Sequence, residues 1–278
     1  MKVLLRCAFA LFALATFASL SHAQSKEALE LSNRLYERSG LAVQLGSLTE
    51  QFEEGFALNR GKVPDEFLTA IGQAAKTSFD PATLRKDIVR SLAEKMSAAD
   101  TRQVLAWLDG DVGRRVTLAE ERASTAMTAE SMDAFFEREK ADPPSEKRRQ
   151  LIKDLMDSTK AVDFNANLIE TVSLGVALGI DATQPVQKRI GVAGLRARLR
   201  EAMPSAQLRA SLSASLPAMM GFAYGDVSDA DLAAYVHFNR SPLGMRYNEA
   251  MSAAVAEALV RASVRIGELL DATPKERT

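Results

Sequence analysis

Apolar residues recur every three or four positions along almost the whole chain, and nowhere do they alternate with polar ones over a strand's length. That period matches the turn of an α-helix and not the two-residue repeat of a strand. A chain patterned this way can bury its apolar stripes only by packing helix on helix. The expected fold class is therefore all-α, a helical bundle. Turn residues divide the pattern. Ser25 opens a run through Leu29, Leu31 and Leu35 that Gly40 can close in the left-handed conformation. A second run spans Leu41 to Leu58, and Asn59-Arg60-Gly61 ends it. Asp80-Pro81 starts another, with Leu84, Ile88, Leu92 and Met96 on one face. Ser97 and Ser145 are N-cap candidates. Pro143-Pro144 ends one helix and leaves a short extended linker. The stretch from Gly179 to Pro185, then Pro204-Ser205 and Gly225 to Ser228, mark later joints. Pro217 is expected to kink or divide the segment from Leu208 to Phe222.

The chain also resembles itself. Shifted by 131 positions, Ser97, Ala99, Asp100, Gly113 and Arg115 fall on Ser228, Ala230, Asp231, Gly244 and Arg246, five identities in twenty, with Trp107 on Phe238. Shifted by 120, Ser25, Leu31, Leu35 and Gly55 fall on Ser145, Leu151, Leu155 and Gly175. The expectation is an internal duplication, with an insertion in the second copy between Gly179 and Ile190. It gives two similar multi-helix units, 24–141 and 142–272, followed by a disordered tail, 273–278. The repeated structural motif is Trp107 and Gly113 in the first copy and Phe238, Ser241, Pro242 and Gly244 in the second. There, Ser241 can cap a helix that Pro242 begins, and Gly244 lets two backbones approach closely.

Phe238-Asn-Arg-Ser241-Pro242-Leu-Gly244 resembles the signature of an uncharacterised family of exported helical bacterial proteins, an aromatic residue, two further residues, then Ser-Pro-x-Gly. The likeness covers residues 208–262. It departs from the family pattern at Asn239, where tyrosine is usual, and at Met245-Arg246. The first copy matches loosely, with Asp111 in place of the proline. The resemblance implies an exported helical bundle and carries no catalytic residues.

Export is also read from the N-terminus. Lys2 and Arg6 precede an apolar run of 13 residues from Ala8 to Leu20, and Ser21-His22-Ala23 supplies small residues at −3 and −1. This is a signal-peptide pattern, cleaved after Ala23 (residues 1–23), which places the mature protein in the periplasm. The run is shorter than the ~20 residues of a membrane span, and no later stretch reaches that length, so no transmembrane span is expected. Of 278 residues, 35 are basic and 36 acidic, with one cysteine and two histidines. Cleavage removes Cys7 and His22 and leaves 255 residues, 33 basic and 36 acidic, formally −3. A slightly acidic chain has no electrostatic case for nucleic acid as a partner. Without cysteine, and with His237 alone, it offers no set of metal ligands.

Local chemistry points the same way. Asp109-Gly110-Asp111 lacks the later acidic positions of a calcium loop and reads as a turn. No phosphate loop, dinucleotide fingerprint or serine elbow is present. No catalytic residue, metal or cofactor is expected. The basic segment from Lys188 to Arg200 reads as a core-facing stripe with a solvated basic face. Met219, Met220 and Phe222, with Phe135 and Phe136, form the candidate apolar surface for a partner or a hydrophobic ligand. The expected function is a non-enzymatic interaction or structural module, its partner an unknown protein or envelope component. One alternative is a carrier or chaperone-like binder of a hydrophobic ligand. Another is a glycan-cleaving enzyme using Glu130, which stands beside Ser131 as in helical lytic transglycosylases but lacks their downstream motifs.

Overall fold

The computed structural model describes residues 25–46, 65–182 and 184–272, and among them every regular element is helical. The signal segment, the tail 273–278 and the second part of the expected run from Leu41 to Leu58 lie outside the described residues. In chain order the elements are α1 (residues 25–38), α2 (Leu41–Gly46), α3 (Asp65–Ser78), α4 (Pro81–Lys95), α5 (Ala98–Leu108), α6 (Asp111–Ala126) and α7 (Ala129–Ala141). There follow α8 (Glu146–Ser158), α9 (Ala161–Ala182), a single 3-10 turn (Val186–Lys188), α10 (Gly191–Ala202), α11 (Ser205–Ala223), α12 (Asp229–Arg240) and α13 (Pro242–Ala272).

The starts are set by short polar side chains. Asp80 accepts the Thr83 amide, Ser97 that of Asp100, Ser145 that of Arg148 and Ser228 that of Asp231. Each satisfies an amide the first turn leaves free. Asp181 does the same from a distance, accepting both Ile190 N and Gly191 N at 2.8 Å and so bracing the start of α10. Those two amides hold its carboxyl below the usual carboxylate range.

Pro217 does not divide its segment, and the joint expected from Gly179 to Pro185 begins only after Ala182. Helix α11 runs unbroken through Pro217, anchored on one side by buried Leu216 and on the other by Phe222 against Phe135. Helix α9 continues past Gly179 to Ala182 because that glycine serves packing and not a turn. A Cβ on Gly175 would lie 1.9 Å from Ser263 Cβ, and one on Gly267 would lie 3.6 Å from the Gly179 Cα. Two small residues one turn apart on each helix let α9 and α13 lie almost backbone to backbone.

Helix α13 runs through the larger core, packed on α9, α4 and α3. Its inner ridge is Ala250, Ala254, Ala258 and Ala262, flanked by Leu259, Ile266 and Leu270, all buried. That core draws on both halves of the sequence, from Leu31, Leu35 and Phe79 to Phe238 and Tyr247. A polar seam closes its rim, Arg261 and Arg265 pairing with Asp87, and Lys95 and Ser91 with Glu257. A smaller core joins Val116, Ile152, Leu155, Tyr224, Val227, Leu232 and Val236. No helix among the described residues is long and apolar enough to cross a membrane.

Candidate functional site

Helices α5 and α6 form one hairpin, and α12 with the start of α13 forms another. Their helices begin 131 positions apart, Ala98 against Asp229 and Asp111 against Pro242. In each, the third residue of the second helix is a glycine. A Cβ on Gly113 would lie 2.3 Å from the Trp107 carbonyl oxygen, and one on Gly244 2.0 Å from that of Phe238. The second helix therefore starts against the last turn of the first, which only a residue without a side chain allows. Ser241 caps α13, accepting the Gly244 amide at 3.0 Å, and Pro242 is the first residue of that helix.

The two hairpins pack on each other. Trp107 stacks on Phe238 with ring centres 4.0 Å apart, and Tyr235 extends the stack at 5.5 Å. Around the stack the charges are exchanged. Arg115 grips Asp231 with two hydrogen bonds of 2.9 and 2.7 Å, and Arg246 grips Asp100 with two of 3.1 and 2.8 Å. Such forked pairs fix orientation as well as distance. Hydrogen bonding from these guanidinium groups holds both aspartates below the usual carboxylate range.

Tyr235 leads from the stack into a buried polar cluster. Its hydroxyl donates to Glu120 Oε1 at 3.0 Å, and the Tyr224 hydroxyl donates to the same oxygen at 2.6 Å. Counted over the whole residue Glu120 is half-buried, but its carboxyl is enclosed. Burial pushes its pKa from 4.5 up to about 7, against the lowering effect of the two hydrogen bonds. Burial also raises Tyr224 and Tyr235, which stay protonated donors. Tyr224 belongs to the smaller core and Tyr235 packs against both, so Glu120 stitches the two cores together. Arg148, from α8, closes the adjoining turn, donating to the Tyr224 and Val227 carbonyls and to Asp229.

The expected apolar surface is partly assembled. Phe135 sits between Phe136 and Phe222, with ring centres at 5.9 and 5.8 Å, both edge-on. Met220 turns inward onto the smaller core, while Met219 is 40% exposed. Adjacent residues on a helix point about 100° apart, so the pair was never one surface. Phe135 is the sole buried residue of α7, and a cleft opens on each flank of that helix. The larger, of about 780 Å³, lies between α7, α6 and the end of α11, lined by Leu118, Phe135 and Phe222 with Arg122 and Arg138. The smaller, of about 510 Å³, reaches Ile152, Pro217 and Gly221.

Other sequence candidates stand apart. Glu130 is exposed, and the Ser131 hydroxyl is engaged in a capping box with Thr128. Gly110 is the residue before α6, so Asp109-Gly110-Asp111 is a turn. His237 is exposed in the last turn of α12, and no group of metal-ligating side chains occurs among the described residues. On α10, Leu195 is buried, Leu199 is half-buried and Val192 is exposed, and Met203, just past its end, is half-buried. Glu120 was not among the sequence candidates. Its signal was a glutamate one turn after Val116, on the inward face of α6.

No family model matches the chain, and neither the curated proteins nor the solved structures contain one that is significantly similar to it.

Proposed function

We propose that the chain is an exported, non-enzymatic binding module of the bacterial cell envelope, acting through the surface around α7. The observation that carries this reading is the pair of apolar clefts meeting at Phe135, with Phe136 42% exposed beside them. Exposed aromatic rings on a loosely seated helix are how proteins hold apolar partners. The signal-like N-terminus and the Ser-Pro-x-Gly resemblance support the location. The glycan-cleaving alternative has less behind it, since Ser131 is committed to capping and Glu130 faces solvent. The test is site-specific photo-crosslinking in intact cells. A crosslinker at Phe136 is expected to give a defined adduct that one at exposed Arg90 does not. Absence of any adduct at Phe136, or the same adducts at both positions, counts against the reading.

We also infer that the units 24–141 and 142–272 descend from one duplicated segment. The support is the reciprocal exchange, Arg115 with Asp231 and Arg246 with Asp100, for two copies related by a two-fold make such mutual pairs. The shift of 120 adds to it. Gly40 and Lys160 both have positive φ, 74° and 51°, and each immediately precedes a helix, α2 and α9. Lys160 is the sole non-glycine residue in that region of φ among the described residues. An L side chain is strained there, so Lys160→Gly is expected to stabilise the protein by about 1 kcal/mol. Its exposed contact with Glu249 is a weak one to lose. A lowered melting temperature for that variant would contradict the expectation.

A further inference from the structure

The larger cleft beside α7 has two features that single out one kind of occupant. Its floor is apolar, made by Phe135, Phe222 and Leu118, the last 45% exposed. Its rim carries Arg122 and Arg138, both exposed, neither with a carboxylate partner among the described residues. Of the neighbouring arginines, Arg115 at the same rim is held by Asp231, and Arg148 by Asp229 and two carbonyls. One acidic side chain, Asp226, also lines the cleft, so two unpaired cations face one anion. A volume of about 780 Å³ falls in the range of small-molecule sites. A stable protein partner would need roughly 800 Å² of contact on each side, more than this cleft alone presents.

We propose that this cleft binds a single-chain anionic amphiphile, its hydrocarbon tail on Phe135, Phe222 and Leu118 and its carboxylate between Arg122 and Arg138. The proposal rests on the binding-module reading and names its ligand class. The tail removes apolar side chains from water, and the guanidinium groups supply charge-assisted hydrogen bonds to the head. Helix α7 can yield to admit it, because Phe135 is its one buried side chain and rests on Gly221, whose missing side chain leaves the ring its place.

The probe is dodecanoate, titrated calorimetrically below its micellar concentration into the mature chain, with dodecyltrimethylammonium as the opposite-charge control. Saturable binding at one site per chain is expected for dodecanoate and not for the cation. The double variant Arg122→Glu, Arg138→Glu, altered at two exposed positions, is expected to weaken dodecanoate by at least about tenfold. No saturable binding of dodecanoate, equal binding of both probes, or an unaffected double variant would overturn the proposal. If dodecanoate fails while the Phe136 crosslink persists, the ligand class falls and the binding-module reading stands.

Discussion

Gly244→Ala is expected to destabilise the protein by about 3 kcal/mol or more, lowering the melting temperature by roughly 10 °C. The added methyl would meet the Phe238 carbonyl oxygen at 2.0 Å and the Asn239 Cα at 2.9 Å. Both are backbone atoms and cannot rotate aside, so the start of α13 must move. Phe238 and Arg246 then leave their places against Trp107 and Asp100, and the exchange between the hairpins is lost on one side. Gly113→Ala meets the Trp107 carbonyl oxygen at 2.3 Å and should behave alike. Gly72 gives the control. Nothing lies within 4 Å of a Cβ there, and it sits inside α3, so Gly72→Ala should stabilise by about 0.5–1 kcal/mol. Thermal melts of the three variants decide it. Gly113→Ala and Gly244→Ala melting with the parent would mean that the hairpins tolerate a wider approach than their packing indicates.

These glycines show what was legible from residues alone. The helical class followed from spacing, and the helix starts from Asp80, Ser97, Ser145 and Ser241, because period and capping are local properties. The close approach at Gly244 was legible too, since Ser-Pro-x-Gly places the glycine within the first turn. The joint from Gly179 to Pro185 was legible as well, except that its helix runs on to Ala182. Gly179 reads as part of the turn before Pro185, and what it accommodates is Gly267, which stands 88 positions away in sequence. Pro217 likewise looked like a break, and the neighbours that carry α11 through it, Leu216 and Phe222, act through contacts with other helices. The Met219–Met220 pair was read as one surface, although consecutive helical positions diverge. Glu120 was the largest omission. A glutamate is ordinarily a solvated residue, and only the arrival of Tyr224 and Tyr235 from more than 100 positions away makes this one a buried acid.

That buried acid sets the second large effect, a loss of stability as pH rises through neutrality. In the unfolded chain the Glu120 carboxyl titrates near 4.5, and in the native protein near 7, because burial disfavours its charge. Between those values the native state holds a proton that the unfolded state has released, so stability must fall as pH rises. The contribution is fully present below about pH 4.5, declines through about pH 7 and is gone above it. Its size is on the order of 3 kcal/mol. The acids whose pKa is lowered, Asp100, Asp154, Asp181, Asp231 and Glu257, act in the opposite sense and below this window, in acid. Urea unfolding at pH 5, 6, 7 and 8 in a His22→Gln, His237→Gln background, which removes both histidines of the chain, should therefore show a falling curve. Glu120→Gln keeps an acceptor for the tyrosine hydroxyls and has nothing to ionise, so its curve should be flat from pH 5 to 8. Tyr224→Phe removes a hydrogen bond that favours the charged carboxylate, and should move the parent's decline to higher pH. A parent curve that rises over this range, or a slope that survives in Glu120→Gln, would show that the carboxyl is already ionised between its two tyrosines. The link between the two cores would then be a charged one.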